Sequence, residues 1–262
     1  MKKIFRKWLA EAKYRSILGM IKAATSTGNR QKTTLFLPTL VELPPGERFL
    51  SLAPHPDDDV LACGGTLNKL ASAGKRIVTV VLTDGASGKS GSDALKVQEK
   101  RREEAIHAAE IVGVSDIHFL CGVDNMLRAE PQIVRALAEI IEAEKPDLIF
   151  LPFPLDYHPD HLHTSDVLMT AYESLSIHPD CYCYECVCPI VPNRIVEISN
   201  TVQTKIQAME VFASQMDATD YVHTIPEGLN RFRTHAWLQG VGYAEGFFST
   251  DAKTLRRLSL FL

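Results

Sequence analysis

Phe49-Leu50-Ser51-Leu52-Ala53-Pro54-His55-Pro56-Asp57-Asp58-Asp59 is the stretch on which the reading turns. Phe49–Ala53 is a short apolar run of strand length. It passes without a spacer into four ionisable side chains and then into a helical pattern over Val60–Ser72. Arg76–Thr83 follows as a nearly continuous β-branched run, which suits a strand buried on both faces. The alternation continues: helix Ala94–Val112, strand Asp116–Leu120, helix Gln132–Ala143, strand Asp147–Leu151 and helix Leu162–Leu175. Strands are expected at Cys181–Cys188 and Arg194–Ile198, and a helix over Thr201–Gln215. Strands alternating with helices predict an α/β fold, a Rossmann-like and mostly parallel sheet with helices on both faces.

Three successive carboxylates repel one another unless a cation or a helix N-terminus neutralises them. Helix capping accounts for one Asp well and leaves His55 unexplained. A second cluster, Asp156-Tyr157-His158-Pro159-Asp160-His161-Leu162-His163-Thr164, follows the Asp147–Leu151 strand through Pro152-Phe153-Pro154. His and Asp are good zinc ligands, and this density at a strand end reads as a metal site. In a doubly wound sheet the strand order reverses beside the first strand, and ligands bind outside the carboxyl ends there. Phe49–Ala53 counts as the first strand and Asp147–Leu151 as the fourth, so both clusters fall at one switch point. A catalytic zinc keeps one position open for water, and a neighbouring carboxylate serves as general base. Those parts point to hydrolysis of an amide or ester.

Pro54-His55-Pro56-Asp57-Asp58-Asp59 resembles the Ala-His-Pro-Asp-Asp-Glu signature of the PIG-L/LmbE-like zinc-dependent N-deacetylases. Asp156-Tyr157-His158-Pro159-Asp160-His161 matches that family's Asp-x-His-Pro-Asp-His motif. Thr83-Asp84-Gly85, Arg101-x-x-Glu104-Ala105, Ser214-Gln215 and Ala244-Glu245-Gly246-Phe247 are quieter matches, so the resemblance spans roughly residues 46–250. It implies Zn2+ held by His55, Asp58 and His161. It implies Asp57 as general base, His158 at the tetrahedral intermediate, Asp160 orienting His158, and Arg101 as a substrate contact. Pro54 and Asp59 depart from the family's usual Ala and Glu. The implied reaction removes the acetyl group from an N-acetylglucosamine-type sugar or a lipid-linked form of it. The alternatives are another amide or ester of a glycoconjugate, or glycan binding without turnover.

Of the 262 residues, 45% are hydrophobic and 23% charged, ordinary values for a globular protein. A net charge of −4 argues against a nucleic-acid partner. The charge is uneven. Residues 1–32 hold nine Lys and Arg against Glu11 alone, a net +8; the rest carries 19 bases and 31 acids, a net −12. The organisation expected is a basic amphipathic arm over 1–32, a Pro-rich linker over 33–47, and a catalytic domain over 48–262. Such an arm suits peripheral contact with an anionic membrane, or packing against the acidic body or a partner subunit of a homo-oligomer. No signal peptide is read, so the expected compartment is cytoplasmic, with inner-membrane contact through the arm.

Other features are expected to be structural. Strand alternation across Cys181–Cys188 puts Cys181 and Cys183 on one face and Cys186 and Cys188 on the other, as buried strand cysteines. His178-Pro179-Asp180 reads as a turn, and His107 and His118 as surface or satisfied histidines. His223 and His235 lie in a less regular C-terminal region, where a substrate role stands as the alternative. Gly64-Gly65 reads as close packing of the first helix on the sheet, and Asp84–Asp93 as a loop bordering the cleft.

Overall fold

The structure, a computed structural model, describes residues 37–86, 91–186, 188–216, 220–221 and 223–259. The expected basic arm, residues 33–36 of the expected linker, residues 87–90 of the cleft loop and the side chain of His223 lie outside them.

Val, Ile and Leu recur at five of the eight positions of Arg76–Thr83, and every residue after Arg76 is buried. Branched side chains on both faces fit a strand covered by helices on either side. It is the third of eight strands among the described residues: β1 (Thr39–Val41), β2 (Arg48–Ala53), β3 (Arg76–Thr83), β4 (Asp116–Gly122), β5 (Leu148–Pro152), β6 (Asp180–Tyr184), β7 (Arg194–Glu197) and β8 (Ala244–Thr250). They form one sheet in the order β1-β7-β8-β6-β5-β2-β3-β4. All pairings are parallel except those of β8, which runs antiparallel to β6 and β7.

The helices are α1 (Asp58–Ser72), α2 (Gly91–Val112), α3 (Pro131–Glu144), α4 (Pro159–Tyr172), α5 (Val202–Glu210), α6 (Ala213–Met216) and α7 (Ala252–Ser259). A π-helical turn occupies His223–Asn230. α1, α2 and α5 pack together, and α4 packs against α3 and α7. One core gathers Leu50, Val80, Leu137, Ile149 and Leu168; a second gathers Phe49, Leu67, Phe150 and Phe247. The sheet is thus covered on both faces, as expected.

β2 pairs directly with β5, Leu50 opposite Ile149 and Ser51 opposite Phe150. These are the strands counted first and fourth from sequence, so the predicted switch point exists. Two expectations need correction, and one strand is new. Thr39–Val41, inside the expected linker, pairs with Arg194–Val196 and extends the sheet. β8 was not foreseen. The Cys181–Cys188 strand ends at Tyr184, because Glu185 leaves the sheet to meet Arg233.

α1 breaks at Cys63, whose φ of −133° and ψ of 17° are not helical. The N–H groups of Gly65 and Thr66 donate to Glu245 Oε1 and Oε2 of β8, at 3.0 and 2.7 Å. Lys205 Nζ balances that buried carboxylate at 2.7 Å and also donates to Asn230 Oδ1 at 3.0 Å. A Cβ on Gly65 would stand 2.7 Å from Ile198 Cδ1, so close packing is the reason for glycine there.

Candidate metal centre and active site

The β2–α1 and β5–α4 connections deliver the two motifs to one cleft of about 200 Å3. His55, Asp57, Asp58, Arg101, His158 and His161 are among its lining residues. Asp58 opens α1 and His161 sits in the first turn of α4. α4 begins at Pro159, earlier than expected, because proline is well placed at a first helical position and His158 caps the helix.

Asp58 is the hub. Its Oδ2 lies 2.9 Å from His55 Nδ1 and 3.3 Å from His161 Nε2, and accepts the His55 backbone N–H at 2.8 Å. Each imidazole has its other nitrogen on a carboxylate. His161 Nδ1 meets Asp156 Oδ2 at 3.2 Å. His55 Nε2 meets Asp160 Oδ2 at 3.1 Å and Asp124 Oδ1 at 3.2 Å. Carboxylates behind histidines are how proteins orient imidazole ligands and raise their basicity.

The same contacts set the ionisation. Burial works against charge on His161, but Asp58 and Asp156 outweigh it and lift its pKa to about 9. His55 is held well above its ordinary value in the same way, by Asp58, Asp124 and Asp160 against burial. Burial acts to raise Asp58, yet the two imidazoles hold it well below the usual carboxylate range. Asp57 is shifted up, by burial first and by Asp58, with Arg101 opposing. Asp59 lies beneath, bonded to Thr79 Oγ1 at 2.8 Å, and burial pushes it up to about 6.

Two expected contacts differ in geometry. Asp160 does not turn its carboxylate to His158. That carboxylate accepts from Asn125 N at 2.7 Å and Leu127 N at 3.0 Å and faces His55. It is the Asp160 backbone N–H that donates to His158 Nδ1, at 3.2 Å. This fixes the tautomer: in neutral His158 the proton sits on Nε2. Burial, then the charges of His55 and His161, lower the His158 pKa, which favours that neutral form. Arg101, only 4% exposed, donates to Asp57 Oδ1 at 3.1 Å and to Gly85 O at 3.0 Å. Its guanidinium grips the general-base candidate as well as lining the cleft.

The quieter motifs also meet, because the Glu104 carboxylate accepts from Ser214 N at 3.1 Å and Ser214 Oγ at 2.5 Å. His178 Nε2 lies 3.0 Å from Tyr172 O at the expected turn; His107 and His235 are exposed. Asp124 and Cys186 line the cleft without having been singled out for it. Asp124 follows the C-terminal end of β4, where site residues of such sheets gather, and that placement was the available signal. Asp156 was visible as part of the second cluster, but its role behind His161 was not.

The family model described as PIG-L, GlcNAc-PI de-N-acetylase, matches residues 50–172, the span from β2 to α4 that carries both motifs. The uncharacterised deacetylase YaiS of Escherichia coli is 32% identical over 135 residues, covering 48% of this chain and 69% of YaiS. The chain belongs to the PIG-L family. Diacetylchitobiose deacetylase of Thermococcus kodakarensis is 26% identical over 230 residues, covering 77% of this chain and 85% of that protein. A conserved protein of Thermus thermophilus shares the fold with a TM-score of 0.66 at 29% identity. That likeness covers 77% of this chain and 93% of the other. Both of these relatives are named as deacetylases, and among the described residues no helix is long and apolar enough to cross a membrane.

Proposed function

We propose that this PIG-L chain is a metal-dependent N-deacetylase acting on an N-acetylated amino sugar, releasing acetate and a free amine. The observation that carries the reading is Asp58 Oδ2 lying against both His55 and His161, each ring backed by its own carboxylate. The donor set fits a metal: two imidazoles and one carboxylate converge, and the contacts behind them orient rather than compete. His55, Asp58 and His161 would hold it, and this mixed nitrogen and oxygen set suits zinc. Bound there, the metal supplies Lewis acidity and makes water a stronger acid.

The chain's own residues do the rest. Asp57, with its raised pKa, takes a proton from the attacking water and passes it to the departing nitrogen. Arg101 fixes Asp57 for both transfers. His158 Nε2–H donates to the acyl oxygen as it gains negative charge. The water oxygen bonds to the acyl carbon, the C–N bond breaks, and acetate and amine leave. Residues 48–262 are the catalytic unit in this reading, extended by β1.

The test uses metal-free and zinc-restored protein with a panel of free and lipid-linked N-acetylglucosaminides. Acetate and amine released in equal amounts, only with metal, is the expected result. Zinc-loaded protein that releases neither from any member of the panel overturns the reading.

A further inference from the structure

Three apolar side chains line the cleft and take no part in the proton transfers: Leu61, Tyr221 and Ile225. They are contiguous. Leu61 and Ile225 belong to one buried cluster with Val60, Ala105 and Phe212, and half-buried Tyr221 packs against that cluster. Leu61 N donates to Asp57 O at 3.0 Å, so this apolar wall starts one helical turn from the proposed general base. Thr224 N donates to Asp220 O at 3.1 Å, a helical spacing that brings Tyr221 and Ile225, four residues apart, to one face. The far end of the segment is pinned, because Asn230 Oδ1 accepts from buried Lys205 Nζ at 3.0 Å. Packing accounts for Leu61 and Ile225, which are 4% and 6% exposed. It does not account for a half-buried tyrosine at the edge of that cluster, on the wall of the cleft.

With the deacetylase reading above as its premise, we propose that Tyr221 is the platform for the sugar ring, a specificity-determining residue that lies against a C–H face of the pyranose. An amino sugar whose substituents stand equatorial carries C–H groups on its ring faces. Its hydroxyls and its acetamido group stand at the rim. Such a molecule has two kinds of surface, as the cleft has two kinds of lining. The apolar face meets Tyr221, with Leu61 and Ile225 beside it, while the rim turns toward the imidazoles and carboxylates. A tyrosine suits this place because it offers a large flat apolar area with few rotatable bonds and a polar tip that tolerates water. An acyclic N-acetylated amine has the same acetyl group and no ring face, so the wall does nothing for it. The cleft, at about 200 Å3, is smaller than the ~300–1,000 Å3 of pockets that bury drug-sized ligands. It takes one ring, and the remainder of a glycoconjugate lies outside.

The test compares N-acetylglucosamine with N-acetylethanolamine on the zinc-loaded full chain. The ratio of their kcat/KM values is expected to fall roughly three- to tenfold in Tyr221→Ala and to hold in Tyr221→Phe, which keeps the ring. An unchanged ratio in Tyr221→Ala overturns the platform. So does an equal fall in Tyr221→Phe, which assigns the effect to the hydroxyl. NMR of N-acetylglucosamine with zinc-loaded Asp57→Asn reads the contact while turnover is slow. Against a tyrosine face the sugar C–H protons shift upfield, and adding Tyr221→Leu removes the shift. No upfield shift with Tyr221 in place overturns the platform even where the Tyr221 variants fail to fold. A wild type that cleaves neither compound, beside a shift that depends on Tyr221, overturns the deacetylase reading and leaves the platform standing. Cleavage of N-acetylglucosamine without the shift does the reverse.

Discussion

The Asp160 backbone N–H holds the His158 ring, while its carboxylate faces the other way, 3.1 Å from His55 Nε2. One residue thus serves both motifs: in the proposed reaction its side chain backs a metal ligand and its main chain holds the oxyanion donor. Removing a carboxylate behind a metal-bound histidine typically weakens metal affinity about 10–100-fold. Asp160→Asn is expected to weaken zinc binding in that range and to leave kcat of the fully loaded enzyme nearly intact. Chelator competition and kcat at saturating zinc check this. A fall in kcat with unchanged affinity would return Asp160 to the role of orienting His158 through its side chain. Asp160→Ala also strands the N–H groups of Asn125 and Leu127, at about 1–3 kcal/mol each, and lowers the melting temperature.

Asp57→Asn keeps the size of the side chain and removes its basicity. Loss of general acid–base help costs roughly 10²–10⁴-fold in rate. The expected variant binds zinc as wild type does and loses kcat by that factor. Zinc stoichiometry measured beside single-turnover acetate release separates the two. An active Asp57→Asn enzyme would assign the proton transfers elsewhere.

The metal-free protein carries its own pH signature. His161 titrates at about 9 when folded, against ~6.5 in an unfolded chain. A raised folded value means that the protonated ring favours folding. That contribution is complete below pH ~6.5 and disappears as pH rises through about 9. The upward shift of His55 acts in the same direction. Melting temperature of metal-free protein should fall from pH 6.5 to 9. Zinc added at pH 7 should release protons to an indicator dye, since ligation requires neutral rings. A melting temperature that rises across this window, or zinc binding without proton release, contradicts the assignment.

Lys205 and Glu245 form an ion pair with no exposure on either side chain. Breaking such a pair from one side costs about 3–5 kcal/mol. In a chain of this size that corresponds to roughly 10 °C in melting temperature. Lys205→Met is expected to show that loss. Adding Glu245→Gln, which removes the unpaired charge and keeps one of the two acceptor oxygens, should recover part of it. A scan of the single and double variants checks both.

Alternating strand and helix patterns were enough to place β2 beside β5 and the two motifs at one point. The ligand types were legible because His and Asp at that density have few structural uses. β8 was hidden because Ala-Glu-Gly-Phe-Phe-Ser-Thr has little strand character of its own; pairing on both sides with β6 and β7 makes it a strand. Asp124 and Cys186 each enter the cleft alone from a loop, without a motif to mark them. Cys186 was misread because alternation holds only while the strand lasts, and β6 stops two residues short of it. The direction of the Asp160 carboxylate depends on the fold of residues 125–127, which no local pattern encodes.

Glu245 closes the break in α1 across 180 positions of chain. During synthesis, then, the helix that begins with Asp58 stands ready long before its brace exists. Until the ribosome has extended the chain past β8, Gly65 and Thr66 lack their acceptor. A nascent chain that displays both motifs therefore still lacks the contact that closes the break in α1. A chain cut before residue 245 keeps His55, Asp58 and His161 yet loses the carboxylate that accepts from Gly65 and Thr66.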